Sequence, residues 1–312
     1  RPKKLLSALE VISVNIEVTP LSPTFGAEIH GVDLNDHLSD TTLQTLGRHY
    51  KEYRVLLFRG QDLSTDNYVS FARRWGTPRI DVFTEKNVPG YGELMQVGNV
   101  GPILSRTTQR NSASFWHTDC AAEKNPDSCT MLYCIKAPHT GGETFLADMQ
   151  AAYCGLPREL RHKADQLEVR HCYSGTRPII GGRETWEGKL EPYDEETERN
   201  LPKPTIRSLV REHSLTGNKG LYSPAGSICD VVNMGRTEAD RLIRRIKLHA
   251  ISQPYTYGHK YARGDLLMWD NTATMHCAGR VGVVEQAGAR LLYRVSPLGL
   301  PSMSTVSALG LK

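Results

Sequence analysis

Apolar positions early in the chain recur at helical spacing. Leu43, Leu46, Tyr50 and Tyr53 line one face of residues 41–53, and a helix is expected there. Val55-Leu56-Leu57-Phe58 follows, an unbroken apolar run of the length of a buried strand. Ser64 then offers a side-chain oxygen as N-cap to a second helix that would bury Tyr68, Phe71, Ala72 and Trp75. Trp75-Gly76-Thr77-Pro78 ends it. A third helical pattern, residues 237–250, turns Leu242, Ile243, Ile246 and Ala250 inward. Ahead of the first helix, β-rich residues 11–18 lead to a turn marked by Pro20 and Pro23.

After the second helix, strands and loops dominate and no internal repeat is visible. Residues 174–218 are the least regular, with Gly181-Gly182, four prolines and the acidic run Asp194-Glu195-Glu196. They read as a lid-like insertion in a single domain spanning 1–312. Helices packed against many short strands fit a mainly β architecture with flanking helices, a jelly roll or another β-rich barrel.

Two segments carry chemistry. In Trp116-His117-Thr118-Asp119, an extended strand would send the imidazole and the carboxylate to the same face. With one more His, such a pair supplies three ligands to one side of a metal, a set suited to ferrous iron that also binds oxygen and a chelating cosubstrate. With eleven histidines in the chain, one such pattern is weak on its own. The second segment adds weight. Gly264 to Asn271 reads as a turn, an apolar run and a polar corner shaped by Asp270 and Asn271, and Thr274-Met275-His276 follows. In Arg290-Leu291-Leu292-Tyr293-Arg294-Val295 the two arginines share a face by the two-residue period. Two guanidiniums inside a barrel are costly unless anions meet them.

These motifs resemble the taurine dioxygenase-like family of Fe(II)- and 2-oxoglutarate-dependent oxygenases. The likeness runs in order from Gly26-Ala27-Glu28-Ile29-His30-Gly31-Val32-Asp33-Leu34 through Val55–Gln61, Trp75–Pro78, the His117/Asp119 pair and Gly141-Gly142-Glu143-Thr144 to the block from Trp269 to Arg294. It implies the distorted double-stranded β-helix, with His117, Asp119 and His276 as catalytic iron ligands. It also implies Thr144 and Arg290 as partners of the distal carboxylate of 2-oxoglutarate, and Arg294 as the receiver of the substrate's acidic group. The implied reaction consumes O2, releases succinate and CO2, and oxidises an unactivated C–H bond. Related halogenases lack the carboxylate that Asp119 supplies, so halogenation is not implied.

The substrate is less defined. After the Trp75–Pro78 element stand Asp81 and Thr84, and Ala113 precedes the H-x-D; none matches the taurine-contacting residues of the family's namesake. The expectation is therefore a small anionic molecule, a carboxylate ahead of a sulfonate, and an amino acid if Asp81 receives an ammonium. The same cofactor chemistry also serves desaturation or ring closure in a biosynthetic pathway, and a non-catalytic binding module of the same fold is the other alternative.

Size and charge narrow this reading without redirecting it. At 312 residues, 39% hydrophobic and 23% charged, the chain has the composition of one sizeable globular domain. A net charge of +4 is mild, and its densest basic cluster, Arg241, Arg244, Arg245 and Lys247, fits a solvated helix face. No nucleic-acid partner is expected. Seven cysteines without a C-x-x-C pair suggest reduced thiols and a cytoplasmic setting. Cys120 and Cys277 each follow a proposed ligand and, on strands, would face away as packing residues. No apolar run is long enough to span a bilayer, so no membrane partner is expected. A homo-oligomer is left open.

Overall fold

The computed structural model describes residues 15–80, 84–124, 126, 128–173, 179–181, 195–201 and 203–298. Its first two helices, Asp40–Tyr53 and Thr65–Trp75, start where serines satisfy orphan amides: Ser39 accepts from the Thr42 N–H and Ser64 from the Asn67 N–H. Both bury one face, Leu43, Leu46 and Tyr50 on the first and Tyr68, Phe71, Ala72 and Trp75 on the second.

Beneath them lies an eight-stranded sheet. Its order is Glu17–Pro20, Ala27–His30, Val55–Phe58, Leu266–Asp270, Cys129–Lys136, Leu291–Val295, Tyr91–Gly98 and Asn87–Val88. Alternation along its strands sorts two cores. Leu56, Phe58, Met131, Tyr133, Met268 and Val295 pack under the helices, while Leu57, Leu132, Cys134, Trp269 and Leu292 face the opposite way. That second face looks toward the antiparallel sheet Thr256–His259, Thr144–Asp148, Thr274–Ala278, whose Leu146 shares the inner core. Two sheets closing on a common core give the mainly β, jelly-roll architecture. A third core, with Ile243, Ile246 and Ala250 of the Arg236–Ala250 helix, covers the outer side of the smaller sheet.

Some expectations need revision. Leu242 is only partly buried at the edge of that third core. Pro20 ends a strand, and the bend lies after it, at residues 21–25. Residues 11–14 fall outside the described residues. The segment read as irregular contains strands: Thr205–Ser208 pairs with Glu168–His171, and Val210–Glu212 with Lys219–Leu221. Their pattern is inverted, since Ile206 is 45% exposed while Arg207 turns in over the Tyr222 ring. Among the described residues no helix is long and apolar enough to cross a membrane.

Candidate active site

His276 lies in the Thr274–Ala278 strand, and His117 reaches it through a single antiparallel bridge, with N–H to O distances of 2.9 and 2.8 Å in the two directions. The H-x-D is not a continuous strand. The chain turns at Asp119-Cys120, and Cys120 has a left-handed backbone, φ 53°. The turn begins at the carboxylate itself, so the spacing of the pair is kept while the strand is not. Thr118 anchors the turn by donating from Oγ1 to the Thr274 carbonyl at 3.1 Å. Cys277 is buried as expected, whereas Cys120 is half-buried within the turn and not on a strand face.

One ligand atom from each of His117, Asp119 and His276 lies within 4.8 Å of the others. Asp119 Oδ1 is 3.7 Å from Nε2 of each histidine. The His117 tautomer is set by its surroundings: Nδ1 lies 2.7 Å from the Phe115 carbonyl, which can only accept, so Nδ1 carries the proton and Nε2 a lone pair. Burial, with His117 beside it, pushes the His276 pKa down to about 3, leaving that imidazole neutral. Burial raises the Asp119 pKa, but Arg294, the two histidines and Thr130 outweigh it and hold the carboxyl well below its usual range. Two neutral nitrogens and one carboxylate on one side of a shared space fit a divalent ion that must keep other positions open.

Arg290 sits just before the Leu291–Val295 strand and is 3% exposed. Its N–H donates to Asn99 Oδ1 at 2.8 Å, and its carbonyl accepts from the Asn99 N–H at 3.1 Å. Nε donates to the Gly142 carbonyl at 2.9 Å. A Cβ on Gly142, at φ +73°, would stand 2.7 Å from Arg290 Cδ, so this glycine makes room for the arginine. The guanidinium lies 5.7 Å from the centre of the Tyr261 ring, and the Tyr261 hydroxyl is 2.9 Å from Thr144 Oγ1. Thr144 and Arg290 thus flank one buried tyrosine. Among the described residues Arg290 has no ion pair.

Arg294 is treated otherwise. Its Nη2 lies 3.2 Å from Asp119 Oδ2. The expectation that both arginines wait for outside anions is corrected here: Asp119 already meets the charge of Arg294. Asp81 lies outside the described residues. The chain just before it is tied down at Arg79, which donates to the Glu123 carboxylate; that carboxylate also accepts from the Tyr173 hydroxyl at 2.7 Å. Tyr261, Asn99 and Thr130 went unnoticed in the sequence, where no periodic or motif signal marks them. Asn271, read as shaping the corner with a supporting role behind the ligands left open, donates from Nδ2 to Thr130 Oγ1 at 2.8 Å.

A family model, taurine catabolism dioxygenase TauD, TfdA family, matches residues 17–296. The chain belongs to that family. It is a 2-oxoglutarate-dependent non-haem iron dioxygenase, with Fe(II), 2-oxoglutarate and O2 as its cofactor and cosubstrates. It is similar to the alpha-ketoglutarate-dependent 2,4-dichlorophenoxyacetate dioxygenase of Cupriavidus pinatubonensis, 30% identical over 86% of this chain and 94% of that protein. It is 28% identical to the (S)-phenoxypropionate/alpha-ketoglutarate-dioxygenase of Sphingobium herbicidovorans, over 95% of this chain and all of the relative. Among solved structures, AAD-2 in complex with Mn(II) and N-oxalylglycine superposes with a TM-score of 0.75 at 26% identity, covering 93% of this chain and 100% of AAD-2.

Proposed function

We propose that His117, Asp119 and His276 hold the iron, that Arg290 and Thr144 receive the distal carboxylate of 2-oxoglutarate, and that Arg294 receives the carboxylate of a small substrate. One observation carries this reading: of two guanidiniums four residues apart, one lies in a buried socket and the other beside the Asp119 carboxylate. Two of the relatives are named for acting on 2,4-dichlorophenoxyacetate and phenoxypropionate, both carboxylates, which supports an anionic substrate.

Bound at this site, Fe(II) and 2-oxoglutarate supply the oxidising power, with release of succinate and CO2 as a substrate C–H bond is oxidised. The chain's own residues arrange that chemistry. His117 keeps its proton on Nδ1 against Phe115 and offers Nε2. Trp269 covers His276, with ring centres 4.8 Å apart, and keeps water from that imidazole. Arg290 offers a planar fork suited to bidentate carboxylate binding, and Thr144 a single hydroxyl donor. Arg294 orients the substrate, so that the C–H bond presented to the iron is chosen by placement. Residues 174–218 would serve as a lid over the entrance. Asp81 would extend recognition to an amino acid's ammonium.

Two measurements test this. Asp119→Ala should lose Mn(II) binding, read by electron paramagnetic resonance, together with product formation; tight Mn(II) binding by that variant refutes the ligand assignment. Succinate release should be stimulated by a panel of small carboxylates and not by their neutral amides. Equal stimulation by the amides removes the anionic-substrate reading.

A further inference from the structure

Asp119 has two carboxylate oxygens, and the fold treats them differently. Oδ1 faces both histidine Nε2 atoms at 3.7 Å. Oδ2 is engaged elsewhere: Thr130 Oγ1 donates to it at 2.7 Å, and Arg294 Nη2 lies 3.2 Å away. Behind Thr130 stands a chain of hydrogen bonds whose direction is set at both ends, because an indole N–H can only donate and a carboxylate can only accept. Trp269 Nε1 donates to Asn271 Oδ1 at 3.1 Å. The amide must therefore point its NH2 the other way, and Nδ2 donates to Thr130 Oγ1 at 2.8 Å.

With its oxygen accepting from the amide, the Thr130 hydroxyl has its proton to give. Asp119 Oδ2 at 2.7 Å is the nearer acceptor, against Ser296 Oγ at 3.3 Å. Trp269, Asn271 and Thr130 are each 1% exposed, so water does not compete for these donors. The two ends of the relay are also locked together by the sheet, in which Trp269 and Thr130 are direct cross-strand partners.

We propose that Trp269, Asn271 and Thr130 are positioning residues that restrict Asp119 to one ligating oxygen. This rests on the metal site proposed above and goes past it, to how many positions around the ion the protein fills. A carboxylate free to rotate can offer a cation either one oxygen or two. With Oδ2 held by Thr130 and Arg294, Asp119 presents Oδ1 alone. Three protein donor atoms then face the ion, leaving open the positions that the cosubstrates need.

The test uses the full chain, freed of metal and titrated anaerobically with Mn(II), the free ion being followed by electron paramagnetic resonance. Fe(II) plus 2-oxoglutarate is then added and the visible charge-transfer band recorded. Thr130→Val keeps the side-chain shape and deletes the donor. It should raise the Mn(II) Kd roughly ten- to a hundredfold and shift the band at saturating Fe(II) and 2-oxoglutarate. Thr130→Ser restores the hydroxyl and should return both readings to wild type. Thr130→Val combined with Asn271→Ala should be no worse than Thr130→Val alone, because Asn271 acts through Thr130.

A folded Thr130→Val with wild-type Kd and band overturns the proposal. So does a Thr130→Ser that fails to rescue, or a double variant whose loss is the product of the two single losses. Should Thr130→Val not fold, Trp269→Phe decides, since it deletes the donor that orients Asn271 while keeping a ring against His276. A several-fold weaker Mn(II) affinity is then expected, and an unchanged one overturns the proposal. Wild-type protein that binds no Mn(II) would instead fail the metal site itself, which keeps the two failures apart.

Discussion

Arg290, just ahead of the Leu291–Val295 strand, and Arg294, within it, are held by the fold in opposite ways. Arg290 is 3% exposed, its backbone is clasped on both sides by Asn99, and Nε is fixed on the Gly142 carbonyl. Burial pulls its pKa down, and Tyr261 opposes this. Among the described residues it forms no ion pair, and the Glu143 carboxylate favours its charge only from a distance. The Arg294 side chain is 17% exposed and already meets Asp119. A rigid socket whose charge forms no internal ion pair favours a ligand that is the same in every turnover. A cation that shares a metal-side carboxylate must redistribute its contacts when a substrate arrives, which suits the variable partner.

The sharpest way to break that comparison is to remove the socket. Arg290→Ala should weaken 2-oxoglutarate by about 2–5 kcal/mol, as expected for a desolvated charge partner, and Arg290→Lys by less. Titration of the charge-transfer band with 2-oxoglutarate reads both variants. An unchanged requirement in each would show that another cation does this work. Arg294→Leu should raise the substrate KM by an amount equivalent to about 1.5–3 kcal/mol, the range for hydrogen bonds to charged groups, with 2-oxoglutarate affinity kept. If 2-oxoglutarate binding falls as steeply as in Arg290→Ala, the two arginines serve one ligand and the contrast disappears. The smallest effect is expected of Tyr261→Phe, which deletes the partner of Thr144. A loss of about 0.5–1.5 kcal/mol in 2-oxoglutarate affinity would fit one neutral hydrogen bond, and a loss matching Arg290→Ala would make Tyr261 the true anchor.

How far the chain discloses these features depends on how local their causes are. The two early helices are visible because their caps, Ser39 and Ser64, and their apolar faces are all contained within short windows. His117, Asp119 and His276 are found through the family's motifs, and the structure brings all three together. The end of the strand there is hidden, since an H-x-D read as a strand gives no warning of the left-handed turn at Cys120. Asn99 escapes notice because its partner lies 191 residues away. Thr130 escapes because its role exists only between two strands and a turn. The Thr205–Ser208 strand is missed for another reason: with Ile206 outward and Arg207 inward it contradicts the polar-out rule that makes strands legible.

The Leu291–Val295 strand also works as a ruler. Arg294 lies within the strand and Arg290 one residue ahead of it, so the two arginines can stand at most about 13 Å apart from Cα to Cα. The strand's reverse side is nailed to the helical layer, since the Tyr68 hydroxyl donates to the carbonyls of both Tyr293 and Met131, at 3.0 and 2.9 Å. The ruler therefore has a backing plate. The backbone between the two arginines cannot shift without disturbing the helix that carries Tyr68. Under the roles proposed for the two arginines, a substrate would be measured from its acid group, and its length beyond that point would be the dimension along which relatives of this enzyme diverge.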